Sequence, residues 1–463
     1  MFERLRAFLS RGTATRSYDG ATGGRRWQRG AQTPSLLHAQ HAARFTLAAR
    51  ARYLATNNAL AASAVEAWVS ALVGTGIKPQ SSHGDPAVRE ALNIAFEGWT
   101  DDADADGVGD LYALQALLVR RMVIDGEAFA ILINDGDVLR VRALDPEQVD
   151  ASLTRELEGG ARIISGVEFD AAGRRVAYHI REINAFINLS YSVRRVPAAD
   201  IIHLYRVETP GQVRGISWFA PVLIRLANLD AWADAQIVRQ QVGALLTGFI
   251  TSGDGTGQPF EGTEANGTLT GGLEPGVMKV LDPGQDVKFS DPANIGAEVI
   301  EFAKIVEREI AVGLGLPAWI LNGDLSQANY GSQRGGLIEW RRRVEALQFG
   351  TVVFQALRPL WKRWATTEVL SGRVRTTVDA AMPAKWIVPK TAWIDPKKDA
   401  EAELMAIAGG LMSRREAVTA RGLDIEQVDR EIADDKARAD ALGLTFTAPA
   451  NDNLPAAADE AAA

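Results

Sequence analysis

Two amphipathic stretches separated by a long polar segment constrain this chain more than any other feature. In the first, from about Ser217 to Leu246, apolar residues recur every three or four positions, at Val222, Leu226, Leu229, Ala233 and Ile237. In the second, from about Gly296 to Val312, the same spacing holds for Val299, Phe302, Ala303, Val306 and Ile310. This period predicts two helices, each with one buried face. A helix, a polar excursion and a returning helix form a hairpin that can project from a body.

The segment between the two stretches is rich in Gly, Thr and acidic residues. Between Ser252 and Gly296 it holds seven Asp or Glu against two Lys. Val277–Leu281 and Asp286–Phe289 have the composition of short strands, and we expect them to pair within this segment.

Elsewhere the pattern predicts helices first, strands next and helices again. The expected N-terminal helices are His38–Tyr53, one capped by Asn57 or Asn58, Pro86–Trp99 and Leu111–Ile124. The expected strands are Ala128–Ile133, Leu139–Leu144, Ile164–Phe169, Val176–Arg181 and Ile201–Tyr205. After the hairpin we expect a long helix over Gln333–Leu370, kinked or broken at Pro359, a strand at Trp386–Trp393, and closing helices with caps at Asp395, Ser413 and Asp424. This order predicts an α+β fold.

Charge is unevenly distributed along the 463 residues. The net charge is −8, but the first 52 residues hold ten Arg against two acids, and the residues from Asp395 onward hold fifteen acids against eight basic residues. We expect residues 1–35 to form a basic mobile arm and residues 445–463 to form a disordered tail. The chain has no Cys and no apolar run of the roughly 18 residues that a membrane helix needs, so we expect a soluble, cytoplasmic protein without a membrane segment.

Motifs for catalysis, cofactors or metals are missing from the sequence. There is no phosphate-binding Walker loop, no Gly-x-Ser-x-Gly elbow and no His-Glu-x-x-His pair. Asp102, Asp104 and Asp106 with Gly107 match the first half of a calcium loop, but Ala113 stands at the twelfth position, where a bidentate Glu is needed. A solvated turn is the preferred interpretation, with calcium binding as the alternative. We expect no enzymatic activity, no cofactor and no metal site.

Several short segments, in this order along the chain, resemble the lambda-type portal proteins of tailed bacteriophages. They are Asn57-Asn58, Gly74-Thr-Gly-Ile77, Asp125-Gly-Glu127, Val196-Pro-Ala-Ala-Asp-Ile-Ile-His203, Pro210-Gly-Gln-Val-Arg-Gly215-Ile-Ser217, Leu273-Glu-Pro-Gly276, Leu281-Asp-Pro-Gly284, Gly313-Leu-Gly-Leu-Pro317 and Asn329-Tyr-Gly-Ser-Gln-Arg334. The resemblance covers roughly residues 15 to 445. Gly331 departs from it, since the family usually has Ser after Asn-Tyr.

The resemblance implies a portal fold with wing, helical stem, small α/β clip and helical crown, assembled as a ring. On this sequence the implied parts after the arm are wing 36–216, first stem helix 217–249, clip 250–295, second stem helix 296–316, tunnel loop 317–332, wing helix and strand 333–394, and crown 395–444. The amphipathic hairpin would thus be the stem and clip.

The resemblance also implies a function. Such rings, of twelve subunits, form the channel at one capsid vertex through which double-stranded DNA is packaged and ejected. The implied partners are the terminase large subunit, the major capsid protein, head-completion or tail-adaptor proteins, and DNA. The implied location is the virion portal vertex, with the host cytoplasm during assembly. An alternative class is an oligomeric capsid-associated DNA-binding or scaffold protein that forms no conduit.

Two sets of residues would carry this function. The tunnel loop would face DNA with neutral polar side chains that touch it without gripping, at Asn322, Ser326, Gln327, Asn329 and Tyr330. The clip would offer an acidic docking surface for motor and tail proteins, at Glu261, Glu264, Glu274, Asp282 and Asp286. A solvated loop is the competing interpretation for the first set. For the basic run Arg341–Arg343, a solvated face or intersubunit ion pairs are favoured over DNA binding.

Overall fold

The computed structural model describes residues 35–182, 192–244, 248–252, 263–265, 268–270, 285–289, 296–326, 330–389 and 396–444. The predicted arm up to residue 34, the predicted tail and much of the predicted clip lie outside the described residues. Within the described ranges, no helix combines the length and the apolar character needed to cross a membrane.

The described helices are close to those that the periodicity predicts. They are α1 (Leu36–Asn57), α2 (Ala59–Leu72), α3 (Pro86–Thr100), α4 (Leu111–Asp125), α5 (Leu223–Ala244), α6 (Ala297–Leu314), α7 (Ala318–Asn322), α8 (Tyr330–Leu347), α9 (Arg358–Leu370), α10 (Val378–Ala381), α11 (Pro396–Ala408), α12 (Arg414–Ala420) and α13 (Ile425–Leu442). A π-helical segment, Gln348–Leu357, joins α8 to α9.

The described strands are short, and all of their pairings within named strands are antiparallel. They are β1 (Lys78–Ser81), β2 (Glu127–Asp135), β3 (Val138–Leu144), β4 (Arg155–Glu156), β5 (Arg162–Ile164), β6 (Val167–Phe169), β7 (Arg175–Arg181), β8 (Val193–Pro197), β9 (Ile201–Tyr205), β10 (Gly248–Ser252), β11 (Thr263–Ala265), β12 (Thr268–Thr270), β13 (Gln285–Phe289) and β14 (Ala384–Ile387). The fold is therefore α+β.

The chain divides into two compact units. The first, called the body unit here, contains the described residues within Met1–Ala51, Trp68–Trp218 and Arg342–Ala463. The second, called the helix-pair unit, contains Arg52–Ala67 and the described residues within Phe219–Arg341. Arg52–Ala67 thus belongs to the helix-pair unit. The family resemblance instead implies that it is part of the wing, 36–216.

Two antiparallel sheets in the body unit share one apolar core. The first sheet has the order β3-β2-β9, and the second runs β4-β5-β6-β7-β8. Phe129 and Ile131 from the first sheet lie in the same buried cluster as Val167 and Ile180 from the second. Packing the apolar faces of the two sheets against each other removes both faces from water.

One of the predicted strands, Ile164–Phe169, is wrong. Ile164–Phe169 is not a single strand, because the chain turns at Ser165 and Gly166, whose φ angles are 50° and 79°. Ile164 therefore ends β5, and β6 begins at Val167. A bond from the backbone N–H of Ser165 to the hydroxyl of Thr154, 3.0 Å long, supports the turn. The dipeptide Ser165-Gly166 is itself a turn signal, which the prediction of one continuous apolar strand passed over.

The long helix passes through Pro359 without a break. Its backbone widens to π-helical hydrogen bonding over Gln348–Leu357, and Pro359 lies in the first turn of α9. The prolyl ring has no N–H and crowds the preceding turn, and a wider turn relieves that clash. The side chain of Gln355, in the widened turn, accepts a hydrogen bond from the backbone N–H of Tyr205 in β9 at 2.9 Å.

Local capping explains where several helices begin. The Asn58 side chain accepts from the backbone N–H of Ala61 at 3.0 Å, which decides between the two predicted Asn caps of α2. Ser413 and Asp424 cap α12 and α13 as predicted. Asp395 lies outside the described residues, although α11 does begin at Pro396.

Candidate functional site

The helix pair α5 and α6 forms the centre of the helix-pair unit. The predicted apolar stripes are only partly buried. Val222, just before α5, and Leu226 within it are buried, as are Val306 and Ile310 on α6, but Ile237 and Phe302 of the predicted stripes are more than half exposed. The helix α5 begins at Leu223, later than the predicted Ser217, and α6 ends at Leu314, two residues beyond the predicted Val312.

The two helices approach closely at a glycine. A Cβ atom added to Gly313 of α6 would lie 2.3 Å from Cγ1 of Val222, which is too short for any real contact. Further along, the ring centroids of Trp232 and Phe302 are 6.0 Å apart in an edge-on arrangement. Glycine at 313 leaves room for the Val222 side chain, and the aromatic pair adds a second contact between α5 and α6.

A polar segment follows α6 and the short helix α7. The ammonium group of Lys304 on α6 lies 3.1 Å from a carboxylate oxygen of Asp324. One turn further along α6, Glu307 accepts a 2.6 Å hydrogen bond from the side-chain amide of Asn322. Hydrogen bonds from the Ser326 hydroxyl and backbone N–H, together with Lys304, lower the pKa of Asp324 to about 2.

The predicted tunnel-loop residues fall in different environments. Asn322 is the last residue of α7 and its amide already binds Glu307. Ser326 is exposed, and its backbone N–H binds Asp324. Tyr330 begins α8, so the helix starts before the predicted Gln333. Gln327 and Asn329 lie outside the described residues.

The predicted acidic surface is described only in part. Glu264 lies on β11 opposite Leu269 of β12, and Asp286 lies on β13 opposite Thr251 of β10. Strand β10, which was not predicted, pairs with β13. The predicted strand Val277–Leu281, with Glu261, Glu274 and Asp282, lies outside the described residues.

The helix pair leaves many large apolar side chains in water. On α5, Ile224 is 73% exposed, and Ile237 and Val238 are more than half exposed. On α6 the exposed apolar residues are Ile300, Phe302, Ile305 and Val312, and Val312 is 77% exposed. A helix pair with buried residues on one face and large exposed apolar residues on others indicates surfaces that a partner covers.

A buried ion pair joins two distant segments of the body unit. Glu127, at the start of β2, is fully buried and accepts from Arg214 through Nε at 2.9 Å and Nη2 at 2.6 Å. Arg44 donates to the same carboxylate at 2.9 Å. Arg214 also donates to the backbone oxygens of Pro146 and Ser165, so its whole fork is occupied. Burial raises the pKa of Glu127, but Arg214 and His203 outweigh that effect and hold the pKa well below its usual range.

His203 completes this cluster between two aromatic rings. It stacks on Phe129 and Tyr205, with centroid distances of 4.2 and 4.4 Å. Its Nε2 lies 3.1 Å from Glu127, and the Tyr178 hydroxyl lies 3.3 Å from Nδ1. These partners favour a neutral ring with the proton on Nε2. Burial lowers the pKa of His203 to about 4, against the opposing effect of the Glu127 carboxylate.

Two further acidic residues of the body unit have partners within it. Asp104 accepts from the backbone N–H groups of Asp106, Val108 and Gly109, so its carboxylate organises its own turn. Asp200 pairs with Arg363 at 3.2 Å. No cluster of three His, Asp or Glu suited to a metal ion occurs in the described part of the chain.

Comparison with known proteins identifies the family. The model of the phage portal protein family, lambda type, matches residues 22–348. The chain belongs to the lambda family of phage portal proteins. It is 23% identical over 380 residues to the probable portal protein of Halomonas phage phiHAP-1, covering 78% of this chain and 73% of that protein.

The chain is also similar to chains in solved structures. One is a chain from the virion of a native gene transfer agent, with a TM-score of 0.47 and 17% identity, covering 82% of this chain and 93% of that one. Another is an HK97-family phage portal protein from Corynebacterium diphtheriae, with a TM-score of 0.32 and 11% identity, covering 63% and 84%.

In this portal-family chain, two of the segments quoted for the resemblance meet in space. Asp125-Gly-Glu127 and Arg214-Gly215 provide the buried ion pair, and the backbone N–H of Gly215 also donates to Glu127 at 2.9 Å. In the sequence, the acid and the arginine each stand beside a glycine. Nothing in either segment predicts that the two come into contact. The role of the ion pair is to hold the strands of the body unit together.

The buried histidine makes the stability of this portal-family protein depend on pH. Unfolded His203 takes up a proton as the pH falls through its ordinary pKa near 6.5, whereas the folded side chain resists protonation until about pH 4. The unfolded state then binds more protons, so stability falls as the pH drops from 6.5 to 4, by about 3 kcal/mol. His203→Phe should flatten the pH dependence of the urea unfolding midpoint in this window. If the midpoint of the variant depends on pH as strongly as that of the unmodified chain, His203 is not the source of this dependence.

Proposed function

We propose that the chain is the subunit of a portal ring that forms the DNA channel at a capsid vertex. The observation that supports this most is the helix pair, within a chain of the portal family, whose outer faces expose Ile224, Phe302 and Val312. In a closed ring, each subunit would lay one such face against a different face of its neighbour, which removes both from water. The family is a structural one, and we propose no catalytic role.

In this proposal α5 and α6 are the stem helices and the segment after α7 faces the channel. Neutral polar groups suit a channel through which DNA slides, because every Lys or Arg that neutralises a phosphate adds salt-dependent affinity and resists movement. The proposed DNA-facing residues are Asn322, Ser326, Gln327, Asn329 and Tyr330. Since the Asn322 amide already binds Glu307, its part would be to shape the segment more than to touch DNA.

The proposed clip is the docking surface for other proteins of the particle. Its excess of acids, seven against two Lys between Ser252 and Gly296, would repel the DNA backbone and attract basic surfaces. The proposed docking residues are Glu261, Glu264, Glu274, Asp282 and Asp286. The proposed partners are the terminase large subunit and the head-completion or tail-adaptor proteins. The major capsid protein would surround the ring in the virion, after assembly in the host cytoplasm.

Electron microscopy of the purified chain at physiological salt tests the ring. We expect closed rings of about twelve subunits with a central hole wide enough for a DNA duplex. Ile224→Lys together with Val312→Glu should reduce ring formation, because both place a charge on the proposed interface. Lys436→Gln, on the exposed part of α13, is a matched surface control and should leave rings intact.

Two results would contradict this proposal. If the chain stays monomeric at high concentration, its exposed apolar faces do not bind a second copy. An open filament would show that the contact does not close, which fits a scaffold protein without a conduit.

A further inference from the structure

Two residues of α6 contact the polar 322–326 segment, which begins at the last residue of α7. Lys304 and Glu307 are three positions apart and therefore lie on the same face of the helix. Lys304 contacts Asp324 at 3.1 Å, and Glu307 accepts from Asn322 at 2.6 Å. One helix face thus contacts the segment twice, through one ion pair and one charge-assisted hydrogen bond.

The segment itself is a chain of local hydrogen bonds. The Asn322 side-chain oxygen accepts from the backbone N–H of Asp324 at 3.0 Å. The Asp324 carboxylate in turn accepts from the backbone N–H of Ser326 at 2.9 Å. Gly323 has φ of 71°, which lets the chain leave α7 directly. Each side chain that α6 holds therefore also orients the backbone two residues further on.

The start of the segment is held on its other side as well. The hydroxyl of Ser63 in α2 donates to the carbonyl oxygen of Leu321 at 2.7 Å, and the Leu321 side chain is buried. All of these contacts lie within the helix-pair unit. The 322–326 segment is consequently fixed at its base, while Leu325 and Ser326 at its far end are exposed.

We propose that Lys304 and Glu307 are positioning residues that couple the 322–326 segment to α6, so that DNA pressing on the segment also displaces the stem helix. This inference rests on the proposed function, which makes α6 a stem helix and the segment a channel lining. Lys304 acts here as a tether and not as a DNA contact, because its ammonium group is already paired with Asp324.

A spin label tests the coupling without reference to DNA. The chain has no Cys, so Leu325→Cys creates a single labelling site in an exposed side chain. In purified protein, Lys304→Gln should increase the mobility of the nitroxide, and Lys304→Arg, which keeps a positive charge beside Asp324, should leave it close to that of the unmodified chain. Lys436→Gln removes the same charge on α13 and should change nothing. Mobility unaltered by Lys304→Gln overturns the proposal.

Packaging of phage DNA by particles carrying the variants tests its consequence. Lys304→Gln should lower the yield of DNA-filled particles by about tenfold, because the segment no longer moves with α6. Rings should still form, and Lys304→Arg should keep most of the yield. Normal packaging by Lys304→Gln, or an equal loss with Lys304→Arg when rings are intact, overturns the coupling. Failure of the unmodified chain to form rings would instead refute the proposed function.

Discussion

Replacing Arg214 by Met is expected to destabilise the body unit by about 3–5 kcal/mol. Glu127 is fully buried and its carboxylate would keep only Arg44, His203 and the backbone N–H of Gly215 as partners. The substitution also removes the donors to the carbonyl oxygens of Pro146 and Ser165. Glu127 and the backbone at Pro146 and Ser165 would thus lose the arginine that joins them. The urea midpoint of the purified chain, followed by tryptophan fluorescence, measures the effect.

A matched control separates this buried pair from ordinary surface pairs. Arg142 of β3 pairs with Asp106 at 2.7 Å, with both side chains about half exposed. Arg142→Met should hardly move the midpoint, because water screens and replaces that contact. Adding Glu127→Gln to Arg214→Met should recover part of the loss, since the side chain at the buried position 127 is then neutral. Equal midpoints for the two arginine variants would refute the assigned role of Arg214.

The second large effect is expected at Gly126, where two backbone segments cross. A Cβ atom there would lie 2.0 Å from the carbonyl carbon of Ile216, and the φ angle of 91° is itself unfavourable for any L-residue with a side chain. Gly126→Ala should therefore cost about 3–5 kcal/mol or prevent soluble folding, because the clash is with backbone that cannot rotate away. The segment 216–218 would be displaced, including the hydrogen bond from the backbone N–H of Trp218 to Val123. Soluble yield and urea midpoint report the outcome.

Gly107 is the control, because it has the same left-handed backbone conformation but no atoms close to where a Cβ would lie. Its φ angle is 64°, and nothing lies within 4 Å of a Cβ atom added there. Gly107→Ala should cost only about 1–2 kcal/mol, which is the penalty of the left-handed conformation alone. The difference between the two variants isolates the crossing at Gly126. If both variants behave alike, the close approach has no energetic importance.

The sequence alone determined the local elements of the fold. Caps and apolar periods act within a few residues, so the sequence predicted a helix cap at Asn57 or Asn58, strands that match β2 and β3, and the helices α5 and α6. The ordered motifs identified the family, which the family model confirmed. The tunnel-loop and clip residues stay proposals, because a single chain shows neither DNA nor a docked protein beside them.

Tertiary structure alone decided how distant segments meet. Strand β1 was not predicted, and its partner β14 lies far along the chain, at Ala384–Ile387. Glu127 and Arg214 are 87 positions apart, and each residue by itself predicts a solvated surface charge. Their burial follows from the packing of two sheets and a glycine crossing, not from either segment. The Lys304–Asp324 tether has the same origin, because a helix face and a loop acquire a common partner only after the chain has folded back.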